Sequence, residues 1–225
     1  MIVVTGASRG LGRAICDRLS STGHEVFGIA RDVSNLPFPA MPCDVSCHEQ
    51  VKLVARTLKE QNRKVCGLVN AAGTASMNLA VTTPPSVSKR IIGTNLLGTI
   101  YCCQLIAPLL MRHKCGVIVN FSTIAVALGL KGESIYAASK AGVEGFSRAF
   151  AREVADFNIT VNCIAPGPIE TDLLKGVTAG QIANVVAHQI ISKQFTPASV
   201  CDIVELLLDQ RSGSLSGQVF HVGGA

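Results

Sequence analysis

The sequence predicts an α/β fold in which helices cover both faces of a parallel β-sheet, and three observations support this prediction. Hydrophobic residues make up 48% of the 225 residues and charged residues only 16%, a balance that favours a large buried core. The run Ile2–Val4 is apolar without polar alternation, as in strands that are buried on both faces. A glycine-rich turn and a helical pattern follow this run directly. No linker or repeat interrupts the sequence, so we expect a single domain over residues 1–225.

Charge and composition argue against nucleic acid and membranes as partners. The formal net charge is +5, aromatic residues are few, and no long run of Lys and Arg occurs. This modest positive balance suits an anionic cofactor or an acidic partner. No stretch approaches ~18 uninterrupted apolar residues, and the N-terminus lacks a signal-peptide pattern. We therefore expect neither nucleic-acid binding nor membrane association.

The cysteines predict a reducing environment rather than a disulfide framework. They number nine and are irregularly spaced, so no pairing pattern emerges. This favours a reducing, cytoplasmic compartment. Cys43, Cys47 and His48 lie close in sequence, but no second pair of ligands has the spacing of a zinc site. We therefore expect no metal.

The glycine turn after the first strand is typical of dinucleotide binding. Residues 5–12 read T-G-A-S-R-G-L-G, and a helical pattern continues to Ser21. Gly6 makes the turn, Gly10 lets the main chain approach a pyrophosphate, and Gly12 allows close helix packing. The N-terminus of the helix then faces the phosphate charge. The residues of the turn expected to bind cofactor are Gly6, Ser8, Arg9, Gly10, Leu11 and Gly12.

The end of the second strand, residues 25–30, decides which cofactor is preferred. An acidic residue at this position would bind a ribose 2′-hydroxyl, whereas an arginine suits a 2′-phosphate. Ala30 occupies the position of the acid, Arg31 follows it, and Arg9 can reach the same region. Asp32 lies one residue further on and is expected to point elsewhere. The pattern favours NADPH, although Arg31 as a plain surface charge is the alternative.

Tyr136 and Lys140 form a Y-x-x-x-K pattern. Residues four apart on a helix share one face, so the two side chains can meet. An ammonium group beside a phenol favours the phenolate and lowers a tyrosine pKa that is normally ~10. This is the chemistry needed to give a proton to a carbonyl oxygen as it becomes an alcohol.

These motifs together resemble the short-chain dehydrogenase/reductase family. The turn has the family's T-G-x-x-x-G-x-G spacing, residues 70–73 read N-A-A-G, and a P-G segment lies at 166–167. Residues 136–154 and 159–172 are most similar to 3-oxoacyl-acyl-carrier-protein reductases. The resemblance implies a Rossmann-type, doubly wound sheet of seven parallel strands in a three-layer α/β/α arrangement. It also implies reduction of a carbonyl by hydride transfer from NADPH, with a tyrosine as general acid.

The resemblance implies a role for four catalytic residues. Thr123 stands thirteen residues before Tyr136, where the family has a substrate-binding serine, and would donate a hydrogen bond to the carbonyl oxygen. Ser122 lies one residue earlier, and strand alternation should point it to the opposite side. Lys140 would lower the Tyr136 pKa and hold the nicotinamide ribose. Asn95 would perturb its helix and hold a relay water.

Further cofactor contacts also follow from the resemblance. They are Asp44, Val45, Asn70, Ala71, Ala72, Gly73, Pro166, Gly167, Ile169 and Thr171, together with Tyr136 and Lys140.

The remaining elements are predicted from periodicity and turn residues. Prolines exclude a helix from residues 36–42. An insertion at about 172–196 is expected to be a lid over the substrate. Further strands are expected at 65–69, 117–121, 159–164 and 217–222, and helices at 86–113, 134–156 and 197–209.

Substrate and assembly stay open at this stage. A 3-oxoacyl thioester is favoured, possibly carried by acyl carrier protein, for which Lys114 is a basic docking position. Phe157 stands where a second basic residue would be needed, so carrier docking is in doubt. A general or secondary-metabolite carbonyl reductase or alcohol dehydrogenase is the alternative; both Tyr136 and Lys140 argue against a non-catalytic NADP-binding regulator. The apolar and small residues of the two long helices predict a homotetramer, or a homodimer.

Overall fold

The computed structural model describes residues 1–171 and 177–225, and its centre is one seven-stranded sheet. The strand order is β3-β2-β1-β4-β5-β6-β7, and every neighbouring pair is parallel. The predicted doubly wound fold is confirmed. The strand order reverses between β1 and β4, which is where ligands bind in such sheets. The strands are β1 (Ile2–Thr5), β2 (Val26–Ala30), β3 (Ala40–Pro42), β4 (Gly67–Asn70), β5 (Gly116–Phe121), β6 (Ile159–Ala165) and β7 (Val219–His221).

Helices pack on both faces of this sheet and enclose two apolar cores. Val4 and Ile2 point into one core with α1 and α8, and Val3 points into the other with α2, α4 and α6. The alternation of these neighbours follows from the pleat of the strand. The helices are α1 (Gly10–Ser21), α2 (His48–Glu60), α3 (Pro85–Ile92), α4 (Gly98–Met111), α5 (Ala125–Leu128), α6 (Ser134–Val154), α7 (Ala179–Ala187) and α8 (Pro197–Leu208).

The long helix predicted at 86–113 is present but contains a wide turn. A π-helical segment, Gly93–Leu97, joins α3 to α4 and contains Asn95, as expected for a residue that perturbs its helix. Such turns are frequent at functional sites. By length and composition alone, Pro85–Met111 could cross a membrane, but half of its most apolar window is buried inside the molecule. Packing in the core accounts for that apolarity.

The edge of the sheet departs from the sequence-based assignment. Residues 36–42 contain no helix, as predicted, but Ala40–Pro42 forms the short strand β3, which was not predicted. A proline is tolerated there because an edge strand has one side without partners. The helix α6 ends at Val154, and a 3₁₀ turn follows at Ala155–Phe157.

The predicted lid is described only in part, because residues 172–176 lie outside the described ranges. In the remainder, Thr178 caps α7 by accepting from the main-chain N–H of Gln181, and the Gln181 side chain accepts from Thr178 in return. Ile169 and Phe195 form a parallel β-bridge. The two ends of the lid segment therefore meet beside β6.

Candidate active site

A cleft of about 530 Å³ at the carboxyl ends of the strands brings the predicted motifs together. The glycine turn, Arg31, Thr123 and Tyr136 all line it. A larger hollow of about 750 Å³ lies near the amino ends of β5 and β6, and none of the predicted site residues line it. Because the titratable and hydrogen-bonding groups converge on the smaller cleft, that cleft is the candidate active site.

The glycine turn has the geometry of a phosphate cradle. Gly6 has a positive φ of 71°, which an L-residue rarely adopts. A Cβ on Gly12 would collide with the main-chain oxygen of Gly6 and lie 2.9 Å from that of Thr5. Arg9 is the N-cap of α1 but its side chain does not cap the helix, so the N–H groups of the first turn remain available to an anion. These residues fit a dinucleotide.

The adenosine end of the cleft carries positive charge. Arg9 and Arg31 both line it, and Arg31 is exposed at the end of β2. Asp32 does not line the cleft. Its Oδ1 accepts from the Ser34 hydroxyl at 2.7 Å and from the Ser34 N–H, bonds that lower the pKa of the Asp32 carboxyl. Asp32 therefore points elsewhere, as predicted.

Asn70 is a correction to the predicted cofactor-binding set. The structure brings Ala71, Ala72 and Gly73 to the cleft, but Asn70 is buried at the end of β4 and does not line it. Its Nδ2 donates to Asn120 Oδ1 at 2.8 Å. Asn120 in turn donates to the Ser147 hydroxyl. Asn70 thus ties the sheet to α6, because strand alternation turns its side chain into the core.

Burial controls the protonation of Tyr136 and Lys140. Tyr136 is 9% exposed; burial raises its pKa, the charge of Glu133 raises it further, and a hydrogen bond with Thr123 lowers it. Burial lowers the pKa of Lys140 to about 8, and its Nζ donates to the main-chain oxygen of Phe121 at 2.8 Å. The predicted lowering of the Tyr136 pKa by Lys140 is therefore not found here: desolvation of the phenolate outweighs any benefit from an ammonium bonded elsewhere.

The two neighbouring hydroxyls have different partners. Ser122 Oγ donates to Glu144 Oε1 at 2.6 Å, and Arg148 donates to the other oxygen of the same carboxylate at 3.2 Å. Thr123 instead lies beside Tyr136 and lowers the pKa of its phenol, and the Thr123 Oγ1 accepts from Ala125 N–H at 3.3 Å. The hydroxyl of Ser122 is thus engaged by Glu144, whereas that of Thr123 stands beside the phenol.

Both the oxygen and the nitrogen of the Asn95 side-chain amide form hydrogen bonds, which join the segment at Thr74 to α6. Its Oδ1 accepts from Thr74 N–H at 2.8 Å, and its Nδ2 donates to Thr74 O and to Ser139 Oγ. A Cβ on Gly73 would lie 3.5 Å from Asn95 Oδ1 and 3.7 Å from Lys140 Nζ. Asn95 therefore lies close to Lys140, and its role with a relay water stays a prediction.

The sequence analysis missed several residues of the substrate end. Glu133 and the lid residues Gln181, Ile182 and Val185 line the cleft. Glu144, which bonds Ser122, was also missed. Helical spacing could have found the two acids, because positions 133, 136, 140 and 144 fall on one helix face. No local pattern identifies the lid residues.

A phosphate-binding turn beside a buried Tyr-Lys pair, at the switch point of a doubly wound sheet, defines a dinucleotide-dependent oxidoreductase. Comparison with known proteins extends this. Residues 1–182 match the short chain dehydrogenase family. The chain belongs to that family, as its motifs predicted, and is a nicotinamide-dependent oxidoreductase.

Individual relatives are similar along nearly their whole length. Carbonyl reductase family member 4 of Danio rerio is 35% identical over 235 residues, covering 100% of this chain and 96% of the relative. A 3-oxoacyl-acyl-carrier-protein reductase of Salmonella typhimurium is 31% identical and covers 99% of this chain and 95% of its own. Two solved structures, each 26% identical, align closely. The ligand-free aldohexose dehydrogenase of Thermoplasma acidophilum has a TM-score of 0.89 with coverages of 99% and 92%, and ElxO with NADP bound has 0.88 with 98% and 96%.

Proposed function

We propose that the protein reduces the 3-oxo group of a 3-oxoacyl thioester to the hydroxy product with NADPH. The observation that carries the proposal is the asymmetry of the cleft. Two arginines line the adenosine end, and Thr123 and Tyr136 stand beside an apolar lid surface at the other end. The first feature suits a phosphorylated dinucleotide, and the second suits an acyl chain next to a polarised carbonyl.

The preference for NADPH rests on charge. Arg31 can form a charge-assisted hydrogen bond to a 2′-phosphate, which is stronger than a neutral one. Ala30 leaves no acid to bind a 2′-hydroxyl, and Asp32 is engaged by Ser34. ElxO, with a TM-score of 0.88, is a relative solved with NADP bound.

In the proposed reaction each catalytic side chain has one task. A nicotinamide held by the glycine turn would, when bound, supply the hydride for the carbonyl carbon. Thr123 orients the carbonyl oxygen through its hydroxyl, and Tyr136 gives that oxygen its proton. The raised pKa of Tyr136 keeps the phenol protonated and ready to donate. Lys140, with a pKa of about 8, can exchange a proton near neutral pH within the same cleft.

The substrate assignment draws on the lid. Ile182 and Val185 of α7, with Leu130, present apolar side chains to the cleft. The relative of Salmonella typhimurium is named a 3-oxoacyl-acyl-carrier-protein reductase. One observation favours a general carbonyl reductase as the second candidate: Phe157 packs against the core and offers no charge to a carrier protein.

We also propose a cytoplasmic homotetramer built from dimers. All nine cysteines are free, in keeping with a reducing compartment. Leu97, at the end of the π-helical turn, is 38% exposed, and a Cβ on Gly145 of α6 would meet no atom within 4 Å. An exposed leucine and a glycine with open space around it allow helices of a second subunit to approach these segments closely. Light scattering at micromolar concentration should give the tetramer mass, and a monomer would refute the assembly.

The activity is tested by mixing the protein with NADPH and the N-acetylcysteamine thioester of acetoacetate. We expect cofactor oxidation and formation of the 3-hydroxy thioester. Tyr136→Phe is the matched control, because it keeps the ring and removes the proton donor. If the unmodified protein leaves the thioester unchanged but reduces simple ketones, the general reductase replaces this proposal. Repeating the assay with the acyl-carrier-protein thioester shows whether the carrier improves KM.

A further inference from the structure

Glu133 stands at the substrate end of the cleft beside the catalytic phenol. It immediately precedes α6 and lines the same cleft as Thr123 and Tyr136. Glu133 is the N-cap of α6 and Tyr136 lies three positions further on, so the two side chains lie about one helical turn apart. The negative charge of Glu133 also raises the Tyr136 pKa, as expected of a carboxylate close to the phenol.

The Glu133 carboxylate is partly buried and has no partner. Within residues 1–171 and 177–225, no hydrogen bond or ion pair holds it, although its main-chain atoms bond Leu130 and Ala137. Burial raises the pKa of this carboxyl, which shows that water solvates it poorly. A carboxylate held in a cleft without a donor favours ligands that bring one.

The described surroundings give little compensation to a second negative charge. Leu130, Ile182 and Val185 are apolar. Lys140 is nearby, but its ammonium donates to Phe121 O and burial lowers its pKa. Arg90 lines the cleft from α3 but is exposed, so solvent and salt screen its charge.

We propose that Glu133 determines substrate specificity: it selects carbonyl compounds whose neighbouring group is neutral, such as a thioester or an amide, and rejects 3-oxo carboxylates. This rests on the proposed function and narrows its substrate class. A 3-oxo thioester or amide places a neutral group where a free 3-oxo acid places a carboxylate. When the ligand is the free 3-oxo acid, its carboxylate and that of Glu133 would share a poorly solvated site. Repulsion between the two negative charges would strongly disfavour binding of the acid.

The test uses two ligands of the same size and shape, acetoacetamide and acetoacetate. The first is neutral and carries an amide N–H, whereas the second is anionic at neutral pH. Their dissociation constants are measured on the complex of the protein with its reduced nicotinamide cofactor, by the change in cofactor fluorescence at early times, and their kcat/KM values are measured in parallel. The proteins are the unmodified chain, Glu133→Gln and Glu153→Gln. Glu153 is exposed in the last turn of α6, the helix that Glu133 precedes, so its substitution makes the same change in net charge away from the cleft.

We expect the unmodified protein and Glu153→Gln to bind the amide at least about tenfold more tightly than the acid. Glu133→Gln should reduce this ratio to within about threefold, mainly by improving binding of the acid. An unchanged ratio in Glu133→Gln, a preference for the acid in the unmodified protein, or no measurable binding of either ligand would each overturn the proposal. If the ratio responds as expected but the acetoacetyl thioester is not reduced, the proposed function fails while the role of Glu133 stands.

Discussion

The two ends of the cleft are built in different ways. At the phosphate end the main chain forms the site: Gly6 turns, Gly12 packs against it, and the first N–H groups of α1 face the ligand. At the substrate end the site consists of side chains from separate segments, with Thr123 after β5, Glu133 before α6 and Val185 on α7. The phosphate end depends on the absence of side chains at its glycines, and the substrate end depends on which side chains are present.

The packing around glycines shows how far this difference extends. A Cβ on Gly12 has no space, whereas Cβ atoms on Gly129 and Gly132, in the loop that leads to Glu133, would meet nothing within 4 Å. The loop before α6 therefore has open space around its main chain, whereas Gly12 at the phosphate end has none, although the positive φ of Gly129 and Gly132 still favours glycine at those two positions. Relatives with one cofactor site and different substrates are the expected outcome of such a division.

The strongest way to break this comparison is at the phosphate end. Gly12→Val should abolish NADPH binding and lower the melting temperature, because the added atoms collide with main-chain oxygens that cannot withdraw. Gly180→Ala in α7 is the control. It has open space and should be neutral or stabilise by about 0.5–1 kcal/mol through helix propensity. The test is to measure NADPH binding and thermal melting curves for both variants. Normal NADPH affinity in Gly12→Val would contradict the packing argument.

At the substrate end, a substitution should change rate without changing fold. Thr123→Ala should lower kcat by about 10²–10³, the loss seen when one oxyanion-type donor is removed, and leave NADPH affinity nearly unchanged. Thr123→Ser should keep activity, because it retains the hydroxyl and relaxes the rotamer.

Ser122→Ala, at the neighbouring hydroxyl, is the control for the two Thr123 variants. Its hydroxyl serves Glu144, so kcat should change little while the free energy of unfolding falls by about 1–3 kcal/mol, since a buried carboxylate loses a donor. Kinetics and urea unfolding of the three variants separate the effects. If Ser122→Ala lowers kcat severely while Thr123→Ala hardly changes it, the catalytic hydroxyl is that of Ser122 and not that of Thr123.

Arg31 is the exception in the comparison of the two ends, because it is a side chain that is expected to bind cofactor at the phosphate end. Arg31→Asp should weaken NADPH binding by about tenfold or more and bring NADH affinity level with it or above it. Lys59→Asp, an equal charge change at an exposed position of α2 that does not line the cleft, should leave the ratio alone. Equal affinity of the unmodified protein for both cofactors would remove the basis for the NADPH assignment.

The last prediction concerns the charge of Lys140. Its folded pKa of about 8 lies below the ordinary value of 10.5, so between these pH values the unfolded chain holds more protons and stability rises with pH. Relative to Lys140→Met, the free energy of unfolding of the unmodified protein should therefore increase by up to ~3 kcal/mol as pH rises from about 8 toward 10.5. Parallel urea titrations across that range measure it. A difference that is flat with pH would mean that Lys140 is solvated.

The same comparison explains what the sequence could predict. The glycine turn follows from a local constraint, because a main-chain collision at Gly12 permits only one residue type, whereas the doubly wound sheet of seven strands was predicted from the family resemblance. Asn70 was misassigned because its motif neighbours do reach the cleft, while the pleat of β4 turns its own side chain to Asn120. Glu144 and Ser122 are 22 positions apart, and only the packing of α6 on β5 reveals that they bond. Motifs therefore predict the glycine turn and the catalytic side chains Thr123, Tyr136 and Lys140, whereas contacts made between distant segments become visible only in the structure.

The bridge between Ile169 and Phe195 has a consequence for how such a protein can diversify. Because the segment between these residues leaves and returns at one point beside β6, its length can change without moving that strand, although its end is also tied to the chain after β7 by the bond from Ile191 N–H to Gly223 O. Doubling such a loop adds only ~0.6 kcal/mol of closure entropy. We therefore expect changes of length inside this segment to be tolerated better than changes in the strands, provided that the cofactor contacts expected at Ile169 and Thr171 are kept.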